Sequence, residues 1–308
     1  MRKLNLLFIT KDRSQQVERS SFYLADELSG RTNLVMWGAD GHIQNILASL
    51  PFTPDFILIN DYRSEYMPKV RGLHAVSIPK GMIMHDLHYK KYQRKRFIEK
   101  ENIQLVFTHY RDAFLQYFPE LSPRMVWFPH FIHPGVFKDY HQPKAINYLM
   151  MGASFPHLYP VRNSFMHQLK KEPGFVCHAH PGYRAIGRSE KGAVAGTAYA
   201  MELNRSKIFL TCDSIYHYPV MKYFEALAAN ALLIAPASKE LADLGFIDGH
   251  TFVAADSSNV LHKARTYLAN EQQRLQIAHR GMNMVRSRHT TTQRVTELLQ
   301  KIKEVTGK

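Results

Sequence analysis

The sequence predicts an α/β protein with two doubly wound parallel sheets that face a central cleft. Strand-like apolar runs alternate with helix-like segments along almost the whole chain, as in sheets covered by helices on both faces. The pattern restarts after a Pro-, His- and Lys-rich passage at 129–144. The length of 308 residues exceeds what one hydrophobic core usually serves. We therefore expect domains over 1–138 and 139–290, and a carboxyl-terminal helix over 291–308 that packs back toward the first domain.

The individual elements follow from the apolar runs and the segments between them. The predicted strands of the first half are LNLLFIT, NLVMWG, DFILIND, GMIMHD, LVFTHY and MVWFPHF, with helices over 17–29, 62–73, 90–101 and 111–118. The predicted strands of the second half are INYLMMGA, GFVCHAHPG, KIFLTCD, ALLIAP and HTFVAAD, with helices over 160–171, 194–206 and 219–229. Helical pattern dominates from 257 to the end.

Composition narrows the functional classes. A net charge of +14 favours a polyanionic partner such as nucleic acid, an anionic lipid surface or a phosphate-rich polymer. Apolar runs such as LLFI and ALLIAP fall far below the ~20 residues that span a bilayer. The first run is also too brief for a signal-peptide core, so we expect a cytoplasmic protein. Cys177 and Cys212 lie in apolar runs without metal-ligand spacing, and we expect both to be reduced core residues.

The stretch KYFEALAANALLIAP, over 222–236, places two charged residues in an apolar helix. It follows the strand KIFLTCD and the loop DSIYHY, and Pro219 suits a first helical turn. Ligands of such sheets bind outside the carboxyl ends of the strands. Lys222 and Glu225 share a face with small alanines, and a different face carries an apolar stripe of Val220, Phe224, Leu227, Ala228 and Ala231. The pair is therefore either a surface ion pair or part of a ligand site.

The same region resembles the donor-binding domain of GT-B glycosyltransferases, in particular the CgeB-like or spore-maturation-like group. The resemblance rests on SKIFLTCD, YPVMKYFEALAANALLIAPAS and ELADLGFIDGHTFVAAD, with FPHFIHPGVF and INYLMMGASFPHLYPVRNSF upstream. It covers about residues 105–300, and the first hundred only through architecture. It implies the GT-B fold of two Rossmann-like domains, a nucleotide-sugar donor held mainly by the second, an acceptor met mainly by the first, and no cofactor or obligatory metal.

The resemblance also implies roles for three residues of the second domain. Glu225 matches the acidic residue that accepts hydrogen bonds from the donor's ribose, each worth about 1.5–3 kcal/mol when charge-assisted. Lys222 matches a basic position within reach of the donor phosphates. Arg162 falls where a basic residue often lies near the diphosphate, although a solvated arginine at a helix start would look the same.

A loop and a tyrosine complete the predicted donor site. The segment HAHPGY follows a predicted strand, and the family places its base-binding loop there. We expect His180, Gly182 and Tyr183 to line the site, with Gly182 allowing close backbone approach and Tyr183 stacking on the base. A plain strand-to-helix turn would have the same sequence. Tyr218, at the end of DSIYHY, is included in the predicted donor site.

Three departures from the family leave retention or inversion of the sugar configuration open. His217 stands where retaining members often have a second glutamate, eight residues before Glu225. Asn230 replaces the glycine that usually ends this helix, although asparagine tolerates the left-handed conformation. The segment TKDRSQQVE replaces a glycine-rich loop after the first strand.

The segment MHDLHYKKYQRKRFIEK supplies the candidates for the acceptor side. His85, Asp86 and His88 follow a predicted strand, and an inverting transfer to a hydroxyl needs a general base of their kind. A lone histidine is more often structural, and the spacing does not predict a metal site. The next residues form a solvated helix face, or they hold a phosphate-bearing acceptor or an anionic membrane surface. The predicted acceptor-binding residues are Lys90, Lys91, Arg94 and Lys95.

The resemblance thus implies a metal-independent hexosyl- or pentosyltransferase. It would move a sugar from a nucleotide diphosphate donor, expected to be a UDP-sugar, to a hydroxyl of an anionic acceptor. The acceptor could be a cell-surface polymer, a lipid-linked glycan or a modified DNA base, which would have to leave the base stack. Two alternatives remain open: a nucleotide-sugar epimerase of the same architecture, and a non-catalytic nucleic-acid-binding protein on this scaffold.

Overall fold

The computed structural model describes residues 2–187, 190 and 194–308, and the chain divides into two compact units. Unit 1 comprises Met1–Ser14, Arg19–Pro129 and Thr291–Lys308. Unit 2 comprises Gln15–Glu18 and His130–Thr290. Each unit is built around its own parallel sheet. Among the described residues, no helix has the length and apolar content needed to cross a membrane.

The sheets are parallel throughout. Strands β1 Asn5–Ile9, β2 Asn33–Trp37, β4 Phe56–Asn60, β6 Lys80–Met84, β7 Leu105–Thr108 and β8 Met125–Trp127 form the sheet of unit 1, in the order β2-β1-β4-β6-β7-β8. The short strands β3 Gly41–His42 and β5 Val70–Arg71 pair separately. Strands β9 Ile146–Met151, β10 Phe175–His178, β11 Ser206–Leu210, β12 Leu232–Ala235 and β13 Val253–Ala254 form the sheet of unit 2, in the order β10-β9-β11-β12-β13.

Helices connect the strands within each unit. Unit 1 contains α1 Ser20–Arg31, α2 Ile43–Ser49, α3 Lys91–Lys100 and α4 Arg111–Tyr117, with 3₁₀ turns at Leu73–Ala75 and Pro119–Arg124. Unit 2 contains α5 Pro160–Leu169, α6 Gly196–Asn204, α7 Met221–Ala228, α8 Lys239–Asp243, α9 Val260–Ala269 and α10 Glu271–Arg288. The last helix, α11 Thr291–Thr306, belongs to unit 1 and packs on α1.

The apolar runs explain the central strands. All five residues of β1, β4 and β6 are buried, as expected of parallel strands covered on both faces. In unit 2, one buried cluster joins the sheet to helices α5, α9 and α10, with Leu210, Ile234 and Phe165 among its members. This packing fixes the carboxyl ends of the strands, where ligands of such sheets bind.

The structure corrects several sequence predictions. Residues 62–73 do not form one helix but a turn, β5 and the start of a 3₁₀ turn, because Pro68 lacks an N–H and restricts the residue before it. The sequence did not predict α2, α8, β3 or β5, all of which are short. Helix α7 begins at Met221, so Pro219 precedes it rather than forming its first turn. Cys212 is buried as expected, but Cys177 is exposed because β10 is the edge strand of its sheet.

Candidate functional site

The candidate donor site lies at the carboxyl ends of β9 and β11 in unit 2. The strand order reverses here, because β10 pairs with one side of β9 and β11 with the other. Such a switch point opens a crevice outside the strands, and it is where ligands bind in open α/β sheets. The residues that follow these two strands are therefore the first place to look for a site.

Arg162 joins the two loops at this switch point. It lies in the first turn of α5, and only 4% of its surface is exposed. Its Nη1 donates to the carbonyl of Ala153 and its Nη2 donates to Thr211 Oγ1 at 3.1 Å. Its Nε is buried and has no hydrogen-bond partner among the described residues. The alternative of a solvated arginine is therefore wrong, and an unused donor remains at the switch point.

Gly152 leaves room for two cations at the end of β9. Its φ is +134°, and a Cβ at this position would lie 2.7 Å from Lys222 Cε and 3.0 Å from Arg162 Nη1. A side chain is thus excluded by conformation and by space. Two positively charged side chains converge on bare backbone, which is an arrangement suited to an anion.

Helix α7 supplies Lys222 and Glu225, and both are covered rather than solvated. Glu225 is 7% exposed because α6, α10 and β12 all pack against α7. The hydroxyl of Tyr199 donates to Glu225 Oε2 at 3.1 Å, and Lys222 Nζ donates to the same hydroxyl at 3.4 Å. Among the described residues, Lys222 and Glu225 form no direct ion pair. The alternative of a surface ion pair is therefore wrong.

Burial sets the electrostatics of these groups. It raises the pKa of Glu225, an effect partly offset by the charge of Lys222. Burial lowers the pKa of Lys222, and the nearby Arg162 lowers it further, while Glu225 acts in the opposite direction. The pKa of Tyr199 lies well above its usual range, chiefly because the ring is buried and Glu225 is near. An anionic ligand with hydroxyl groups would complement this set of groups.

The predicted base-binding loop follows β10. Gly182, at φ +88°, donates its N–H to His180 Nδ1 at 3.0 Å, so Nδ1 carries no proton. Burial and the charges of Lys222 and Arg162 lower the pKa of His180 to about 4. The ring of Tyr183 lies 4.7 Å from that of His180 and is 70% exposed. The loop thus presents a neutral imidazole and an accessible aromatic ring.

The loop after β11 holds the other residues that the sequence singled out. Tyr218 is 3% exposed and stacks on Tyr216 with 5.4 Å between ring centroids, so it contributes to the interior of the loop. His217 Nδ1 lies 2.7 Å from Asp213 Oδ2. Both border a pocket against the start of α5, lined by Pro160, Val161, Cys212, Asp213, Ser214, Ile215 and His217.

Unit 1 carries the candidates for acid–base chemistry at the end of β6. Asp86 is half-exposed, and Arg63 Nη1 donates to its Oδ2 at 2.5 Å. His85 is 8% exposed, its Nε2 lies 3.0 Å from Asn60 Oδ1, and its ring stacks on Tyr66 at 4.4 Å. Burial lowers the pKa of His88. Asp86 and His88 are thus both partly exposed, whereas His85 is buried.

The four predicted acceptor-binding residues differ in burial and in their partners. Arg94 is fully buried and donates to Asp61 Oδ2 at 3.0 Å, so its prediction as an acceptor-binding residue is wrong. Lys95 forms an ion pair of 2.7 Å with Glu120. Lys90 and Lys91 are exposed. Helix α3 therefore presents exposed cations on one face and anchors itself through Arg94 on the other.

Sequence reasoning missed the residues that act through tertiary contacts. Tyr199 lies in a helix that was predicted, but no spacing relates it to Glu225, 26 residues further on. Arg63 fell within the wrongly predicted helix. Gly152 did have a signal, because a glycine directly after the first strand of a doubly wound unit often admits a ligand. In the described residues, no group of three or more His, Cys, Asp or Glu side chains could hold a metal ion.

The sequence and the fold are both similar to those of known proteins. Residues 162–300 match the family model described as "Glycosyl transferase-like". HepE from Anabaena, solved in complex with UDP-glucose, superposes with a TM-score of 0.64 at 12% identity, over 96% of this chain and 99% of that chain. The fold is GT-B. The matched segment contains Arg162, His180, Lys222 and Glu225, whereas the unit 1 candidates lie outside it.

Two further GT-B structures agree. Sucrose-phosphate synthase from Thermosynechococcus elongatus gives a TM-score of 0.62 at 12% identity, over 86% of this chain and 76% of that chain. A glycosyltransferase from Rickettsia africae gives 0.60 at 12% identity, over 99% of both chains. No curated protein matches the sequence significantly. At these identities the GT-B structures establish the fold alone.

Proposed function

We propose that this protein is a glycosyltransferase of the CgeB-like type that transfers a sugar from a UDP-sugar to an acceptor hydroxyl. The observation that carries the proposal is the convergence of Arg162 and Lys222 on Gly152, with the buried Glu225 on the same helix as Lys222. The match to a glycosyltransferase family model over this region supports it. So do GT-B neighbours solved with UDP-glucose, and with UDP and GlcNAc.

The donor site suits the departure of a nucleoside diphosphate. As the bond between the sugar and the diphosphate breaks, negative charge grows on the leaving phosphate. Arg162 and Lys222 are preorganised cations at that place, so they stabilise the transition state without reorganising. Glu225 accepts hydrogen bonds from the ribose hydroxyls and fixes the nucleotide relative to the two cations. The loop of His180 to Tyr183 contacts the base.

The acceptor side belongs to unit 1 in this proposal. If the reaction inverts the sugar, Asp86 takes the proton of the acceptor hydroxyl, because its carboxylate is accessible and Arg63 fixes its orientation. His85 is engaged with Asn60 and Tyr66 and supports the loop instead. The exposed cations of α3 follow directly in the chain and suit an anionic acceptor.

Thermal shifts with UDP, GDP, ADP and TDP test the donor site. We expect UDP to raise the melting temperature of the wild type, and Glu225→Ala to weaken UDP binding about ten- to a hundredfold on the hydrogen-bond energies involved. The matched control is Glu304→Ala on α11, because Glu304 and its partner Lys301 both have exposed side chains. If nucleotides shift the melting temperatures of wild type and Glu225→Ala equally, the role assigned to Glu225 is wrong. If none of the four nucleotides shifts the melting temperature of the wild type, the proposed donor site is wrong.

A further inference from the structure

The hydroxyl of Tyr199 stands between the two charged residues of α7. Lys222 and Glu225 lie three residues apart on one helix, a spacing at which such side chains usually pair. Instead, Lys222 Nζ lies 3.4 Å from the Tyr199 hydroxyl, which lies 3.1 Å from Glu225 Oε2. The tyrosine belongs to α6, which packs against α7. The contact between the two charges is thus mediated by a residue from another element.

The direction of these hydrogen bonds is fixed by the groups themselves. A lysine ammonium can only donate, so the Tyr199 oxygen accepts from Lys222. The single hydroxyl proton of Tyr199 then goes to Glu225, which acts as an acceptor. One N–H of Lys222 and one oxygen of Glu225 are used in this way. The remaining donors of Lys222 and the other carboxylate oxygen stay available to a ligand.

The ring of Tyr199 is held firmly in this position. The residue is 9% exposed, and the ring of Phe137 meets it nearly edge-on, with 6.1 Å between centroids and an interplanar angle of 77°. Lys222 Nζ also lies 5.0 Å from the centroid of the Tyr199 ring, which adds a cation–π contact. The hydroxyl therefore has little freedom to leave the gap between the two charges.

We propose that Tyr199 is a positioning residue that keeps Lys222 and Glu225 from neutralising each other, so that the site binds a phosphate and a ribose diol together. This inference rests on the proposed function. A direct ion pair would satisfy both charges within the protein and leave little for a ligand. With the tyrosine in place, Lys222 turns its remaining donors to the phosphates beside Arg162, and Glu225 accepts from the ribose. The ligand class is therefore a ribonucleoside diphosphate.

The test is a double-mutant cycle measured by calorimetric titration of UDP. Tyr199→Phe keeps the ring and removes only the hydroxyl, so Lys222 and Glu225 can pair. We expect UDP binding to weaken about tenfold in this variant, or ~1.4 kcal/mol. In the Glu225→Gln background no ion pair can form, so the same Tyr199→Phe change should weaken UDP binding less than about twofold. The difference between the two losses measures the coupling.

A second cycle uses Lys222→Met, which also prevents the ion pair. In this background we again expect Tyr199→Phe to weaken UDP binding only slightly. If Tyr199 only fills space, Tyr199→Phe will have the same effect in all three backgrounds, and the inference is wrong. If the wild type binds UDP and Tyr199→Phe binds it equally well, the inference also fails while the proposed function stands. If the wild type binds none of UDP, GDP, ADP and TDP, both fail together.

Discussion

At the scale of single residues, Arg94 and Asp61 form an ion pair with no exposed surface at the end of β4. Arg94 Nη1 also donates to the carbonyls of His85, at 2.5 Å, and Asp86, at 3.1 Å. Asp61 accepts the backbone N–H of His85 at 3.3 Å. The pair therefore holds the backbone that carries the proposed base. Burial raises the pKa of Asp61 to about 6, although Arg94 opposes this shift.

We predict that Arg94→Met lowers the free energy of unfolding of unit 1 by about 3–5 kcal/mol, because a buried carboxylate is left without its partner. Urea unfolding at pH 7 measures this, followed by tryptophan fluorescence. Both tryptophans, Trp37 and Trp127, lie in unit 1. The matched control is Lys95→Met on the same helix, whose ion pair with Glu120 is accessible to water, and it should leave the stability nearly unchanged. Equal losses in the two variants would contradict the role of the buried pair.

The sequence pointed to Glu225, Lys222 and Arg162 because a charge in an apolar context is conspicuous, and because the resemblance assigned them roles. It could not show that Tyr199 lies between two of them, since that contact joins two helices. It also could not separate Arg94 from Lys95. Both belong to one basic run, and only the packing of α3 decides which side chain faces the interior.

At the scale of elements, the end of α7 explains one departure from the pattern of the family that the sequence resembles. Asn230 follows the helix at φ +56°, a left-handed conformation in which glycine is more usual. Its Nδ2 donates to Asp139 Oδ2 at 2.8 Å, and its carbonyl accepts from Lys144 Nζ at 2.6 Å. A glycine could adopt the conformation but could not make the side-chain bond. The asparagine therefore joins the helix of Lys222 and Glu225 to the segment that precedes β9.

Helix α3 is the element that we expect to bind an anionic acceptor. Its exposed cations are Lys90, just before the helix, Lys91, Arg96 and Lys100, and the exposed ring of Tyr92 lies among them. We predict that Lys90→Glu with Lys91→Glu abolishes salt-dependent binding to vesicles that contain phosphatidylglycerol. Cosedimentation at low and high salt measures this, and gel shifts with duplex DNA serve as the nucleic-acid arm.

The control for α3 reverses the charges of two adjacent exposed lysines of unit 2, through Lys170→Glu with Lys171→Glu. Both variants change the net charge of +14 by the same amount. If the control loses as much binding as the α3 variant, overall charge rather than α3 is responsible. If wild type binds DNA but not the vesicles, the surface serves nucleic acid instead.

At the scale of the whole molecule, the buried His109 and Asp61 make opposite contributions to the stability in acid. Burial lowers the pKa of His109 from 6.5 to about 4, although its Nδ1–H donates to the Phe128 carbonyl at 2.7 Å. The unfolded chain therefore takes up a proton first as the pH falls. The contribution of neutral His109 to the free energy of unfolding is therefore fully present above about pH 6.5. It is lost as the pH falls toward 4, and the loss reaches roughly 3 kcal/mol. Asp61 acts in the opposite direction, since its raised pKa favours the folded state as the pH falls through about 6.

We predict that His109→Asn makes unit 1 less sensitive to pH between about 6.5 and 4.5, because asparagine can still donate to Phe128 but does not titrate. Urea unfolding of wild type and variant is followed by tryptophan fluorescence at several pH values. The difference between their free energies of unfolding at each pH reports His109 alone, because both proteins contain Asp61. Parallel curves for the two proteins would show that His109 does not contribute.

The alternation of strands and helices predicted the two parallel sheets, because that pattern depends on local sequence and on burial of both sheet faces. The predicted strands LNLLFIT to HTFVAAD all have counterparts in the structure. The short elements around Pro68 could not be predicted in the same way, since few residues carry their pattern. The membership of α11 in unit 1 reflects its packing on α1, a contact between the two ends of the chain.

The most direct test of the donor site is a crystal structure of the wild-type protein with UDP. The proposal predicts that the ribose hydroxyls lie within hydrogen-bond distance of the Glu225 carboxylate, with the diphosphate between Lys222 and Arg162 above Gly152. UDP bound elsewhere, or a diphosphate that contacts neither cation, would contradict the proposed function.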